Sequence, residues 1–191
     1  GEDISPGDAV LRADAILNPS KIGALAALGI PRAEVFKKPQ VLIVPTGDEI
    51  AELGRELLKG QIYNINSYTL GAVIEEHGGR AYLHAVVDDR KETVEEAIRK
   101  NLSYHIIIFT GGSSVGTRDI IMDVIKGVGE VFFHGVAVKP GKPTLFGRVE
   151  KTLVLGMPGY PTSCLSNGYM ILLPILRRMA HLPPLAGRKV R

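Results

Sequence analysis

Ile106-Ile107-Ile108-Phe109-Thr110-Gly111-Gly112-Ser113-Ser114-Val115-Gly116 is the stretch that decides the fold. Four consecutive large apolar residues are too few for a buried helix. They suit a strand covered on both faces, the pattern of a parallel sheet. Thr110-Gly111-Gly112 closes the strand and leads into a helix carrying Ile121, Val124 and Ile125, opened by Asp119 and stopped by Gly127. A strand, a glycine turn and a helix make half of a βαβ unit.

The same alternation extends in both directions. Val41-Leu42-Ile43-Val44 is a second short apolar run. Asn66 caps a helix with Leu70, Val73, Ile74 and His77, ended by Gly78-Gly79. Tyr82 to Val87 reads as a strand. Thr93-Val94-Glu95-Glu96 is a capping box ahead of Val94, Ala97, Ile98 and Leu102 on one helical face. Short strands follow near Val131-Phe133, Thr144-Phe146 and Leu153-Leu155. A long helix closes the chain from about Thr162 to Ala180, bent at Pro174. Strands alternating with helices predict a three-layer α/β fold, a mostly parallel sheet with helices on both faces. Residues 1–38 differ: Asn18-Pro19-Ser20 starts one short helix that Gly29 stops, and Ala33 to Phe36 looks strand-like. The expected organisation is a connector over 1–38, an α/β domain over 39–183 and a tail over 184–191.

Composition excludes several classes. Of 191 residues, 23 are basic and 20 acidic, a net charge of +3, and 45% are apolar, which rules out general disorder. The basic residues are scattered and there is no Trp, so no nucleic-acid surface is expected. No apolar run approaches the roughly 20 residues needed to cross a bilayer, so no membrane partner is expected. The single cysteine, Cys164, excludes an internal disulfide. With no charged-then-apolar leader in these residues, a cytoplasmic location is expected.

Parallel sheets carry their sites beyond the carboxyl ends of the strands. The loop Thr110 to Asp119 offers free amides at a helix start, an anion cradle. It is not a P-loop, because Thr117 stands where the lysine belongs. Lys139-Pro140-Gly141-Lys142-Pro143 holds two lysines in a stiff turn, suited to one anion. Met157-Pro158-Gly159-Tyr160-Pro161-Thr162-Ser163 sets hydroxyls and amides at another helix start. Asp48, Glu49, Asp88, Asp89 and Asp119 fall in the same layer. Each alone reads as a helix cap; together they suit a Mg²⁺-supported phosphate or oxyanion site. No two histidines form a metal signature.

Taken together, the loops resemble the molybdopterin molybdotransferase family, that of MoeA and the gephyrin E domain. The matching stretches are Pro45 to Ile50, Gly60 to Asn66, Thr110 to Gly116, Val138 to Pro143 and Pro158 to Pro161, in the family's order and spacing. The resemblance implies transfer of molybdate into adenylylated molybdopterin with release of AMP, a divalent metal such as Mg²⁺, and a homodimer. It implies catalytic roles for Glu49, Asp88 and Asp119, and metal ligands among Asp48, Glu49, Asp88 and Asp119. Substrate contacts are implied at Thr46, Gly47, Gly111, Gly112, Ser113, Ser114, Gly116, Lys139, Lys142, Pro143, Pro158, Gly159, Pro161 and Ser163. A molybdopterin adenylyltransferase is a candidate partner. Two positions depart from the family: Tyr160 replaces a frequent Asn, and Gly135 a frequent Lys. The family's N-terminal domain and C-terminal β-rich domain are not represented in these residues. A molybdopterin adenylyltransferase of the MogA type, which shares the α/β domain, and a non-catalytic molybdopterin-binding or scaffold module are the alternatives.

Overall fold

A computed structural model of the chain describes residues 4–111 and 115–185, with the main chain alone for 115–118. It divides into two compact units, Gly1–Lys37 and Lys38–Arg191. In the first, helix α1 (Pro19–Ala27) begins as its sequence dictates. Asn18 caps it by accepting the Lys21 amide at 3.0 Å, and Pro19 occupies the first turn, where a missing N–H costs nothing. The strand-like stretch Ala33 to Phe36 is irregular instead.

The second unit is built on strands β1 (Gln40–Thr46), β4 (Arg80–Leu83), β5 (Ile106–Gly111), β6 (Glu130–His134), β7 (Leu145–Val149) and β8 (Thr152–Met157). They form one sheet in the order β4-β1-β5-β8-β7-β6. The pairs β1–β4, β1–β5 and β5–β8 are parallel, while β7 runs antiparallel to both β8 and β6. A separate parallel ribbon joins β2 (Ile50–Ala51) to β3 (Ile62–Tyr63), two strands too short to leave a periodic signal.

The pleat explains the unbroken apolar runs. Leu42, Val44, Ile107, Phe109 and Val154 face one side, against Val94, Ala97 and Ile98 of helix α3 (Lys91–Lys100) and Ile121, Val124 and Ile125 of helix α4 (Val115–Val128). Val41, Ile43, Ile106, Ile108 and Leu155 face the other, against Leu70 and Ile74 of helix α2 (Ile65–Glu76), Cys164 of helix α5 (Pro161–Asn167) and Leu176 of helix α6 (Leu173–Met179). Each fully buried aliphatic contributes about 1.5–3 kcal/mol, so both layers are tied to the sheet.

Several boundaries differ from expectation, each for a local reason. The cap of α2 is Asn64, whose side-chain Oδ1 accepts the Ser67 amide at 3.2 Å; Asn66 lies inside the helix. β4 ends at Leu83, and Val87 touches the sheet through one bridge to Thr46. α3 starts at Lys91, so Thr93 sits in the first turn and donates its hydroxyl to the carbonyls of Asp88 and Arg90, both at 2.8 Å. α4 starts at Val115, not Asp119, and runs through Gly127 to Val128. Pro174 stands in the first turn of α6, directly after a π turn over Gly168–Leu172 that joins α5 to α6, with the Leu173 amide bonding the Gly168 carbonyl. The wider turn accommodates the ring and missing donor of Pro174 one residue later. No described helix is long and apolar enough to cross a membrane.

Candidate functional site at the carboxyl edge of the sheet

Strand register brings the expected loops to one rim. Thr46 pairs with Gly111, Thr110 with Met157, and Gly156 with Leu145. The carboxyl ends of β1, β5 and β8 are therefore level. Because β7 is antiparallel, its first residue lies at the same edge, and so does the turn that feeds it from His134. The segments after Thr46, Gly111 and Met157 and the lysine turn thus share a border. Gly112, Ser113 and Ser114 lie outside the described residues; Gly116 is in the first turn of α4.

Two glycines make close approaches where β1 and β5 end. Gly111 has φ +135°, and a Cβ there would lie 1.9 Å from the Thr46 carbonyl oxygen. Gly47 has φ +125°, and a Cβ there would meet the Glu49 carboxylate at 2.5 Å. The Glu49 carboxylate thus folds back over Gly47. The Gly47 amide bonds the Val87 carbonyl at 3.2 Å, and the Val87 amide bonds Pro45 at 2.9 Å. These bonds set Asp88 beside the Gly47 turn. Asp88 is exposed and accepts from Arg90 Nη2 at 2.6 Å, a solvated pair of little energetic weight. Asp48 and Asp119 are exposed, Glu49 half-buried.

Among the described residues, no three of His, Cys, Asp and Glu are grouped to hold a metal ion. That donor set does not make an all-protein cage. Such a set could hold Mg²⁺ only in the mode where one or two carboxylates act with water and substrate phosphates.

The other two loops are held by asparagines that the sequence reading assigned otherwise or passed over. Asn66 donates from Nδ2 to the Gly159 carbonyl at 2.9 Å, fixing the Pro158-Gly159-Tyr160-Pro161 turn to the start of α2. Tyr160 stands 73% exposed at the end of that turn, and Ser163 is buried. Asn167, wholly buried, donates to the Gly141 carbonyl at 2.7 Å within the lysine turn. Lys139 and Lys142 themselves are exposed and Pro143 is half-buried. The available signals were the Asn64-Ile65-Asn66 repeat, where only one residue can cap, and an amide among the apolar residues of the last helix.

A cleft of about 30 Å³ opens at the rim between Asn66, Thr110, Gly111, Gly159 and Pro161. A larger hollow of about 540 Å³, beside Tyr169, Arg177 and Leu182, contains none of the expected site residues. Size alone does not locate the chemistry. Cys164 is no nucleophile, since burial pushes its thiol up to about 12.

Comparison with known proteins gives the family. A molybdopterin molybdenumtransferase of Haemophilus influenzae is 36% identical over 180 residues, covering 94% of this chain and 45% of that protein. One from a Nostoc species is 32% identical, covering 92% and 42%. The chain thus spans less than half the length of these curated relatives. A crystal structure of the molybdopterin biosynthesis MoeA protein from Pyrococcus horikoshii superposes with a TM-score of 0.81 at 38% identity, covering 90% of this chain and 43% of that one. Residues 42–178, most of the α/β unit, match the family described as "Probable molybdopterin binding domain", and the chain belongs to that family.

Proposed function

We propose that the chain supplies the α/β portion of a molybdopterin molybdenumtransferase. It would bind adenylylated molybdopterin and molybdate at the carboxyl rim, where molybdate enters the dithiolene and AMP leaves. The observation that carries this reading is the strand register that levels the glycine turn after β5 with the loops after β1 and β8 and the lysine turn before β7, in a chain 36% identical to a protein of that name. The amides around Gly111, Gly112, Ser113, Ser114 and Gly116 take the phosphate part of the ligand, helped by Thr46 and Gly47. Lys139 and Lys142 offset the dianionic charge of molybdate, with Pro143 stiffening their turn. Pro158, Gly159, Pro161 and Ser163 shape the opposite wall. Glu49, Asp88 and Asp119 act at the reacting phosphate, and with Asp48 they are the candidates to hold Mg²⁺ jointly with substrate oxygens. Mg²⁺ there would offset charge on the leaving phosphate. A cytoplasmic homodimer, receiving its substrate from an adenylyltransferase, completes the proposal.

The test is calorimetric titration of the chain with adenylylated molybdopterin and with molybdate, followed by AMP release. Lys142→Ala should raise the molybdate needed for half-saturation roughly tenfold, because a charge-assisted contact contributes about 1–3 kcal/mol. Unchanged molybdate dependence removes the lysines from this role. A binding module without turnover is the second reading. Pterin binding with no AMP release, even when the rest of the enzyme is supplied, would select it.

A further inference from the structure

We infer that Asn167 is a positioning residue for the lysine turn, setting where Lys139 and Lys142 meet an oxyanion. The inference rests on the molybdate reading above and adds the group that makes it specific. Among the described residues, neither lysine has an ion-pair partner, so their placement comes from the main chain beneath them. That main chain is held from inside the domain. Asn167 is 0% exposed and sits on the last turn of α5, packed in a rigid layer. Its Nδ2 donates to the Gly141 carbonyl at 2.7 Å and to Thr144 Oγ1 at 2.5 Å. Thr144 in turn donates its hydroxyl to the Gly141 carbonyl at 3.1 Å.

Shape reinforces the bonds. Gly141 has φ +113°, and a Cβ there would lie 2.5 Å from Asn167 Oδ1 and 2.7 Å from Nδ2. The amide fills the space that any larger residue at 141 would need. The far oxygen, Oδ1, is buried with no hydrogen-bond partner, so the hydrogen bonds of this side chain act through Nδ2. Asn167 therefore grips the turn between its two lysines, while Thr144 fixes the end that enters β7. Pre-organising the turn removes the entropy that two mobile lysines would lose on capturing an anion.

The test compares wild type with Asn167→Ala, Thr144→Val, Lys142→Ala and the Asn167→Ala/Lys142→Ala pair, all as the full chain. Sodium molybdate is titrated calorimetrically, adenylylated molybdopterin binding is measured in parallel, and amide hydrogen exchange is followed over residues 135–144. Asn167→Ala should weaken molybdate roughly tenfold, leave pterin affinity within about twofold, and speed exchange at Val136 and Thr144. The pair should lose less than the product of the single effects, because Asn167 acts through the lysines. Thr144→Val keeps the volume and should show a smaller loss of the same kind, which carries the test if Asn167→Ala folds poorly. Wild-type exchange over 135–144 in both variants, or equal losses for both ligands, overturns the inference. If wild type binds no molybdate, the proposed function fails, and the exchange measurement alone decides whether Asn167 positions the turn.

Discussion

Gly111→Ala should unsettle the rim more than any other single methyl in the sheet. Its φ of +135° is a region that side chains rarely adopt, which costs about 1–3 kcal/mol. The added Cβ would stand 1.9 Å from the Thr46 carbonyl oxygen, so β1 and β5 must part at their last pair. Losing one ladder hydrogen bond there adds about 1 kcal/mol. The total is about 2–4 kcal/mol. For a unit of about 150 residues, unfolding entropy near 2.1 cal/mol/K per residue makes 3 kcal/mol equal to about 10 °C of melting temperature. Circular dichroism melts of wild type and Gly111→Ala measure it. Gly127→Ala is the control: nothing lies within 4 Å of a Cβ there and the residue is helical, so it should gain up to about 1 kcal/mol. A Gly111→Ala protein melting within about 2 °C of wild type would refute the close-approach argument, since such a small shift is well under 1 kcal/mol for this size.

Asn66→Ala removes the bond to Gly159 and should cost about 1–2 kcal/mol in denaturant titration while weakening adenylylated molybdopterin binding; stability loss with unchanged affinity would restrict Asn66 to a structural role. Cys164 should resist iodoacetamide in the native protein at pH 8, because burial pushes the thiol from 9.0 up to about 12. The linkage has a definite sign. The folded thiol keeps its proton longer than the unfolded one, so its contribution to stability is full below pH 9 and falls as pH rises from 9 towards 12. Cys164→Ala should lose part of that alkaline destabilisation, and identical pH slopes would contradict it. Asp119 is exposed on α4, so Asp119→Asn should leave the fold intact and slow Mg²⁺-dependent AMP release; wild-type release would dismiss its proposed role.

The fold class was legible because burial is local arithmetic. Val41–Val44 and Ile106–Phe109 are apolar at every position and too short for a buried helix, which suits a strand covered on both faces. The rim loops were legible as loops because glycine and proline punctuate them, at Gly111 and at the proline-bracketed lysines. The helix starts were less so. Asn64 and Asn66 have the same cap chemistry, and only the packing of α2 against the Gly159 turn decides which one caps and which one reaches across. Thr93 and Asp119 could each open a helix, yet α3 and α4 begin earlier, at Lys91 and Val115.

What sequence alone determined is the inventory: the buried strands at the centre of the sheet, and which loops carry glycine, lysine and acid. Tertiary structure decided their neighbours. Register levels Thr46, Gly111 and Met157 at one edge, and the reversal of β7 brings the lysine turn to the same edge. Asn167 meets Gly141 across a sequence separation of 26. No local pattern encodes such a contact, because its geometry exists only after the sheet and the last helix have packed together.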